Sequence, residues 1–226
     1  MSSDNIGIVE NFSPVSIGVG SKEQNEQCAV VSEGFSTTVY CFHDAQSITG
    51  SRTDCVAIKS LNDMCSDDEQ SASRLENEYT ISVHLASQCS SVRPAISLSE
   101  FDGLPAIYLE WVNGITLSKW IHLLHRKNDS SPPAGDGHSS SILERDMKII
   151  LQLACDISRA LSEMHCAGAI HNNLTPNNII IGDIDGSDNV LVKVIGLGSS
   201  SLLREHSETF PKIQRDILSL GSVLFE

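Results

Sequence analysis

The stretch that most constrains this chain is residues 142–167, where Ile150, Leu153, Ile157, Leu161 and Met164 recur at three- and four-residue steps. Such spacing lays one apolar stripe along a long helix, and a stripe of that length needs a partner surface to cover it. Upstream the pattern is different. Segments 29–31, 38–42, 55–60, 95–98 and 106–111 are short and rich in β-branched and aromatic residues, the composition of strands. Residues 71–86 interrupt them with Leu75, Glu78, Ile81 and Leu85 at helical spacing, and 116–125 predicts a second, short helix. Beyond the long helix, 179–181 and 190–195 predict two strands joined by a turn around Asp185-Gly186, and 216–226 reads as a further apolar helix. A β-rich half followed by an α-rich half implies an α+β architecture of two unlike layers or lobes, not alternating βαβ units.

Composition narrows the partners. The 226 residues suffice for one good core or two small lobes. Fifteen Lys and Arg against 29 Asp and Glu leave a formal charge of −14, the wrong sign for binding a phosphate backbone, so no nucleic-acid partner is expected. Seven cysteines occur without a Cys-x-x-Cys pair, which predicts free thiols in a reducing compartment. No apolar run approaches about 18 residues, so no membrane span is expected. The acidic start MSSDNIGIVENFSP lacks the features of a secretory signal. The expected location is intracellular, in the cytoplasm. Residues 1–27 are polar and aperiodic and read as a flexible tail. Residues 126–141, dense in Ser, Pro, Gly and Asp, read as a disordered, exposed insert.

The motifs come in a fixed order. Val56-Ala57-Ile58-Lys59 ends an apolar strand in a lysine, and segment 32–39 before it carries the single glycine Gly34. Asn77-Glu78-Tyr79 places a glutamate on the first helix, with Glu76 as a competing candidate. Segment 106–114 ends in Leu109-Glu110-Trp111-Val112-Asn113-Gly114. After the long helix comes Ile170-His171-Asn172-Asn173-Leu174-Thr175-Pro176-Asn177-Asn178, then Val194-Ile195-Gly196-Leu197-Gly198, then Arg215-Asp216.

In this order, over residues 28–226, these segments resemble the eukaryotic-type Ser/Thr protein kinase domain. The resemblance implies a two-lobed fold: a five-stranded antiparallel N-lobe with one main helix and a hinge over 28–112, and a partial helical C-lobe over 113–226. It assigns an ATP-type pocket to Gly34, Val39, Ala57, Lys59, Glu78, Glu110, Val112 and Asn178, with Leu109 as gatekeeper. Asn178 falls at the second metal-ligand position, and Asp216 at the aspartate that anchors the catalytic loop.

The departures decide the expected function. Asn173 stands where the family has its catalytic aspartate, and a neutral amide is no general base near pH 7. Gly196 stands where the family has its metal-binding aspartate, so Mg²⁺ is expected to bind weakly or not at all. Asn172 and Thr175 replace the loop arginine and lysine. The segment between Gly198 and Asp216 is short, and the later C-lobe helices have no counterpart. That shortfall predicts exposed apolar surface at Leu218, Val223 and Leu224. The expectation is a pseudokinase: an ATP-binding-type domain with a regulatory or binding role and a protein partner. The alternatives are a divergent active Ser/Thr kinase and a non-functional fragment. Three weaker groups carry no expected chemistry: His122 with His125, the Asp183, Asp185 and Asp188 turn, and His165 with Cys166, read as packing residues.

Overall fold

The computed structural model describes residues 28–43, 54–129, 139–183, 190–203 and 206–225. The expected tail 1–27 and the centre of the turn after Asp183 lie outside these residues. The chain is mixed α+β. Strands β1 (Cys28–Glu33), β2 (Thr37–His43) and β3 (Cys55–Leu61) precede helix α1 (Glu69–Leu85), and β4 (Ala95–Phe101) and β5 (Leu104–Glu110) follow it. These five strands form one antiparallel sheet in the order β1-β2-β3-β5-β4.

The period of two along β3 fixes what each face holds. Val56 and Ile58 join Tyr40, Phe42, Phe101 and Tyr108 on one side. Ala57 and Leu61 pack on the other with Leu75 of α1 and with Ile107 and Leu109. Lys59 lies between Ala57 and Leu61 in this alternation, so its side chain faces α1. The N-terminus of α1 is capped by Asp68, whose side chain accepts from the Gln70 N–H at 3.2 Å.

Beyond the sheet come β6 (Ile115–Thr116), α2 (Leu117–Asp129), α3 (Ser139–Cys166) and β7 (Ala169–Ile170). They are followed by β8 (Ile179–Asp183), β9 (Val190–Val194), β10 (Ser201–Leu202) and α4 (His206–Phe225). Strands β6, β8 and β9 make a three-stranded sheet, and β7 pairs with β10. Leu153, Ile157, Leu161 and Met164 of α3 are buried in one cluster with Ile81 and Leu85 of α1 and Val223 of α4.

Several boundaries differ from the sequence reading. Ile150 is 39% exposed, so the buried stripe of α3 starts one turn later than its spacing implied. The expected insert 126–141 is helical at both ends, since α2 runs to Asp129 and α3 starts at Ser139; residues 130–138 lie outside the described chain. Helix α4 begins ten residues before the expected 216, and it carries Pro211 within it. Val223, expected at the surface, is buried because it turns into the α3 cluster; Leu218 and Leu224 are exposed.

Candidate functional site

The register of the sheet brings four of the singled-out residues onto one face. Val39 pairs with Lys59, Ala57 with Leu109, and residues directly opposite share a side of the sheet. Val39 is half-buried while Ala57 and Leu109 are buried. Gly34 sits in the exposed turn between β1 and β2. Its carbonyl accepts from Asn62 Nδ2 at 2.9 Å, and the Phe35 carbonyl accepts from the same amide at 3.0 Å, so Asn62 at the end of β3 pins the loop. Glu110 and Val112, at the end of β5 and just past it, are half-buried.

Helix α1 supplies the partner for Lys59. Leu75, Glu78, Ser82 and Leu85 lie on its buried stripe, and Glu76, about two hundred degrees around the helix from Glu78, is exposed. Glu78 is therefore the glutamate that reaches the sheet. Its Oε2 accepts from Lys59 Nζ at 2.5 Å, with side-chain exposures of 21% for the lysine and 2% for the glutamate. Its Oε1 lies 3.8 Å from Arg93 Nη2. Burial alone raises a carboxyl pKa, but here Lys59 and Arg93 outweigh it and hold Glu78 below its ordinary value.

A second group forms on the loop after β7. Asp216 of α4 is fully buried and accepts three hydrogen bonds: from His171 N and Asn172 N, each at 2.8 Å, and from His165 Nε2 at 3.0 Å. Burial pushes the Asp216 carboxyl up, and these donors, with His165 foremost, bring it below its ordinary value. His165 is thus a polar tie, not only the packing residue read from sequence.

Asn172 takes φ 63°, a conformation that asparagine tolerates better than most residues. Its amide donates to Ser199 O at 2.9 Å and Ser201 Oγ at 3.0 Å. His171 is buried, with Nδ1 accepting from Asn173 N at 3.3 Å and Nε2 therefore donating to Ile195 O at 3.1 Å. Burial lowers the pKa of His171, which keeps the ring neutral.

Asn173 is exposed at the loop surface. Asn178 is half-buried: its Nδ2 donates to Asn173 O at 2.8 Å, and its Oδ1 lies in the space beside Gly196. A Cβ built on Gly196, at φ +75°, would lie 2.4 Å from that oxygen. The residues at the expected metal position do not fit a divalent cation. Gly196 has no side chain and Asn178 Nδ2 is taken by Asn173 O, so Asn178 Oδ1 is the single side-chain ligand atom these two positions offer. No cluster of three or more His, Cys, Asp or Glu with metal-ligand geometry occurs among the described residues.

Three residues here were not readable as functional. Asn77, next to Glu78, reaches across to the segment after Gly196: its amide donates to Gly198 O at 3.1 Å and Ser200 O at 2.8 Å. Arg93 and Asn62 carried no motif at all. The nearest signal for Arg93 was a charged residue inside the apolar run from Val92 to Ile96. Away from this group, a cavity of about 180 Å³ lies between α2, α3 and α4, and its lining includes none of the candidate site residues. The chain matches no protein-family model. No curated protein matches it either.

Proposed function

We propose that this chain is a protein-kinase-like domain of the pseudokinase kind, a nucleotide-pocket protein that binds or regulates and does not transfer phosphate. In this reading the five-stranded sheet with α1 is the N-lobe, and the helical remainder belongs to the C-lobe. The carrying observation is one site with two halves. Lys59 and Glu78 are paired at 2.5 Å, whereas Asn173 and Gly196 stand at the two positions where phosphoryl transfer needs carboxylates. The first half supports a pocket that holds an anionic nucleotide beneath Val39 and Ala57. The second supports loss of chemistry, since removal of a general base alone costs about 10²–10⁴ in rate. A protein partner would read out the state of the pocket.

The formed Lys59–Glu78 pair also favours a second reading, a divergent active Ser/Thr kinase. One experiment separates the two. Purified protein is titrated with ATP in thermal shift, with Mg²⁺ and with EDTA, alongside a phosphotransfer assay on generic protein substrates. Stabilisation by ATP in EDTA with no phosphotransfer supports the pseudokinase reading. Phosphotransfer that Lys59→Ala abolishes supports the active-enzyme reading. A shift that requires Mg²⁺ contradicts the metal-independent pocket, and no shift under either condition contradicts both.

A further inference from the structure

Glu78 has two cationic neighbours where an ion pair needs one. Its two oxygens divide between them, Oε2 to Lys59 at 2.5 Å and Oε1 to Arg93 at 3.8 Å. The two cations differ in setting. Lys59 keeps 21% of its side chain exposed, whereas Arg93 keeps 8%. Arg93 is also fixed from behind. Its N–H donates to Val194 O at 3.2 Å, Val194 N donates to Ser91 O at 2.7 Å, and Val92 and Val194 form a parallel bridge. Arg93 Nε is buried with no hydrogen-bond partner, so its guanidinium still has donor capacity directed within the protein. Among the described residues, Glu78 is the carboxylate paired with both cations. Asp216 is engaged by His165 and two backbone N–H groups, His171 is neutral, and Asn173 and Gly196 bring no charge.

We infer that Arg93 is a positioning residue that can hold the Glu78 carboxylate by itself, which leaves the Lys59 ammonium free to turn to an anionic ligand group without a divalent cation. This rests on the nucleotide-pocket reading and adds the means by which that pocket works without metal. A buried carboxylate cannot be left without a counter-ion. With Lys59 as sole partner, a phosphate would have to compete with Glu78 for one ammonium. With Arg93 closing from 3.8 Å, Lys59 can move its exposed end to the ligand while Glu78 stays paired. Two cations against one carboxylate also leave a positive charge that suits a phosphate group. The ligand class is therefore a nucleotide carrying free phosphate, and ADP in EDTA is the probe.

Two measurements test it. In EDTA, ADP should bind the wild-type protein about tenfold or more tightly than adenosine, the scale of one charge-assisted hydrogen bond. Arg93→Met should remove most of that difference and leave adenosine unchanged, and Arg93→Lys should restore part of it. Second, Lys59→Met should keep the fold, because Arg93 retains Glu78, while Lys59→Met with Arg93→Met should lose more stability than the two single changes together. Equal binding of ADP and adenosine overturns the inference and leaves the pocket intact. Absence of binding by both overturns the pocket reading and the inference with it. A Lys59→Met protein that unfolds and is rescued by Glu78→Gln overturns the inference without reference to any nucleotide, since Lys59 was then the sole effective counter-ion.

Discussion

Gly196 occupies a position with no room for a side chain. Its φ of +75° disfavours any L residue, and the space that a Cβ needs is taken by Asn178 Oδ1 at 2.4 Å. Gly168 has the same φ with nothing within 4 Å of a built Cβ, which makes it a matched control. Gly168→Ala should cost about 1–2 kcal/mol of backbone strain. Gly196→Ala should cost more, seen as a larger fall in the urea midpoint at unchanged slope, and Asn178→Ala in the same chain should remove the excess. Equal losses at the two glycines would show that Asn178 yields freely. A second residue-scale outcome concerns pH. The folded-state pKa of His171 lies below its unfolded value, so the unfolded chain takes up a proton that the folded chain refuses as pH falls below about 6.5. Stability should be full above that value and decline beneath it. Asp216 and Glu78 have lowered pKa values, so their contributions persist to about pH 4 and are lost as pH falls through the folded values. Thermal melts from pH 8 to 3 should show both steps, and His171→Gln should flatten the upper one. The position of Asn178 was legible in the sequence, but its commitment was not. That depends on where a turn places the Asn173 carbonyl, which no local spacing encodes.

At the scale of elements, type and order were legible because each element carries its own periodicity, as in the 3.6-residue stripe of α1 and the alternation of β3. The contacts between elements were not. Asn77 and Glu78 are adjacent in sequence, yet Glu78 points to the sheet and Asn77 to the segment at Gly198 and Ser200. A helix advances one hundred degrees per residue, so neighbours serve different partners. The sequence reading found the glutamate through its motif and had no counterpart for the asparagine. The Asn77 amide ties α1 to these loop carbonyls. Asn77→Ala should cost about 1–2 kcal/mol, the typical price of one lost hydrogen-bonded group with carbonyls left partly unpaired. It should also speed amide exchange over residues 197–202 more than in the five-stranded sheet. Uniform acceleration across the chain would mean a global loss of stability and would remove the specific tie. The late start expected for α4 has a simple cause. The apolar pattern that marks this helix begins only at 216, whereas α4 starts at His206 and carries Pro211 as its sixth residue, which removes one backbone bond and crowds the carbonyl one turn earlier.

At the scale of the whole molecule, charge and apolar exposure oppose each other. The chain carries a net charge of −14, which keeps copies apart at low salt. Against this, α4 presents Leu218 at 74% exposure and Phe225 at 93%, with Ile217 and Leu224 beside them, and α3 adds exposed Met147 and Leu151. Exposed apolar side chains favour burial at roughly 25 cal/mol per Å² removed from water. Repulsion between copies acts through solvent and is screened over about 8–10 Å at moderate ionic strength, whereas the apolar term is not screened. Added salt therefore shifts the balance in one direction. Sedimentation should show monomer at low salt and concentration-dependent association as NaCl rises, with binding of a hydrophobic dye to the monomer. Leu218→Glu with Phe225→Glu should suppress both effects while the melting temperature stays within a few degrees, because neither side chain belongs to a buried cluster. Association that instead weakens as salt rises would make the contact electrostatic and place it elsewhere on the surface. Association unchanged in the double variant would leave the α4 face without a part in it.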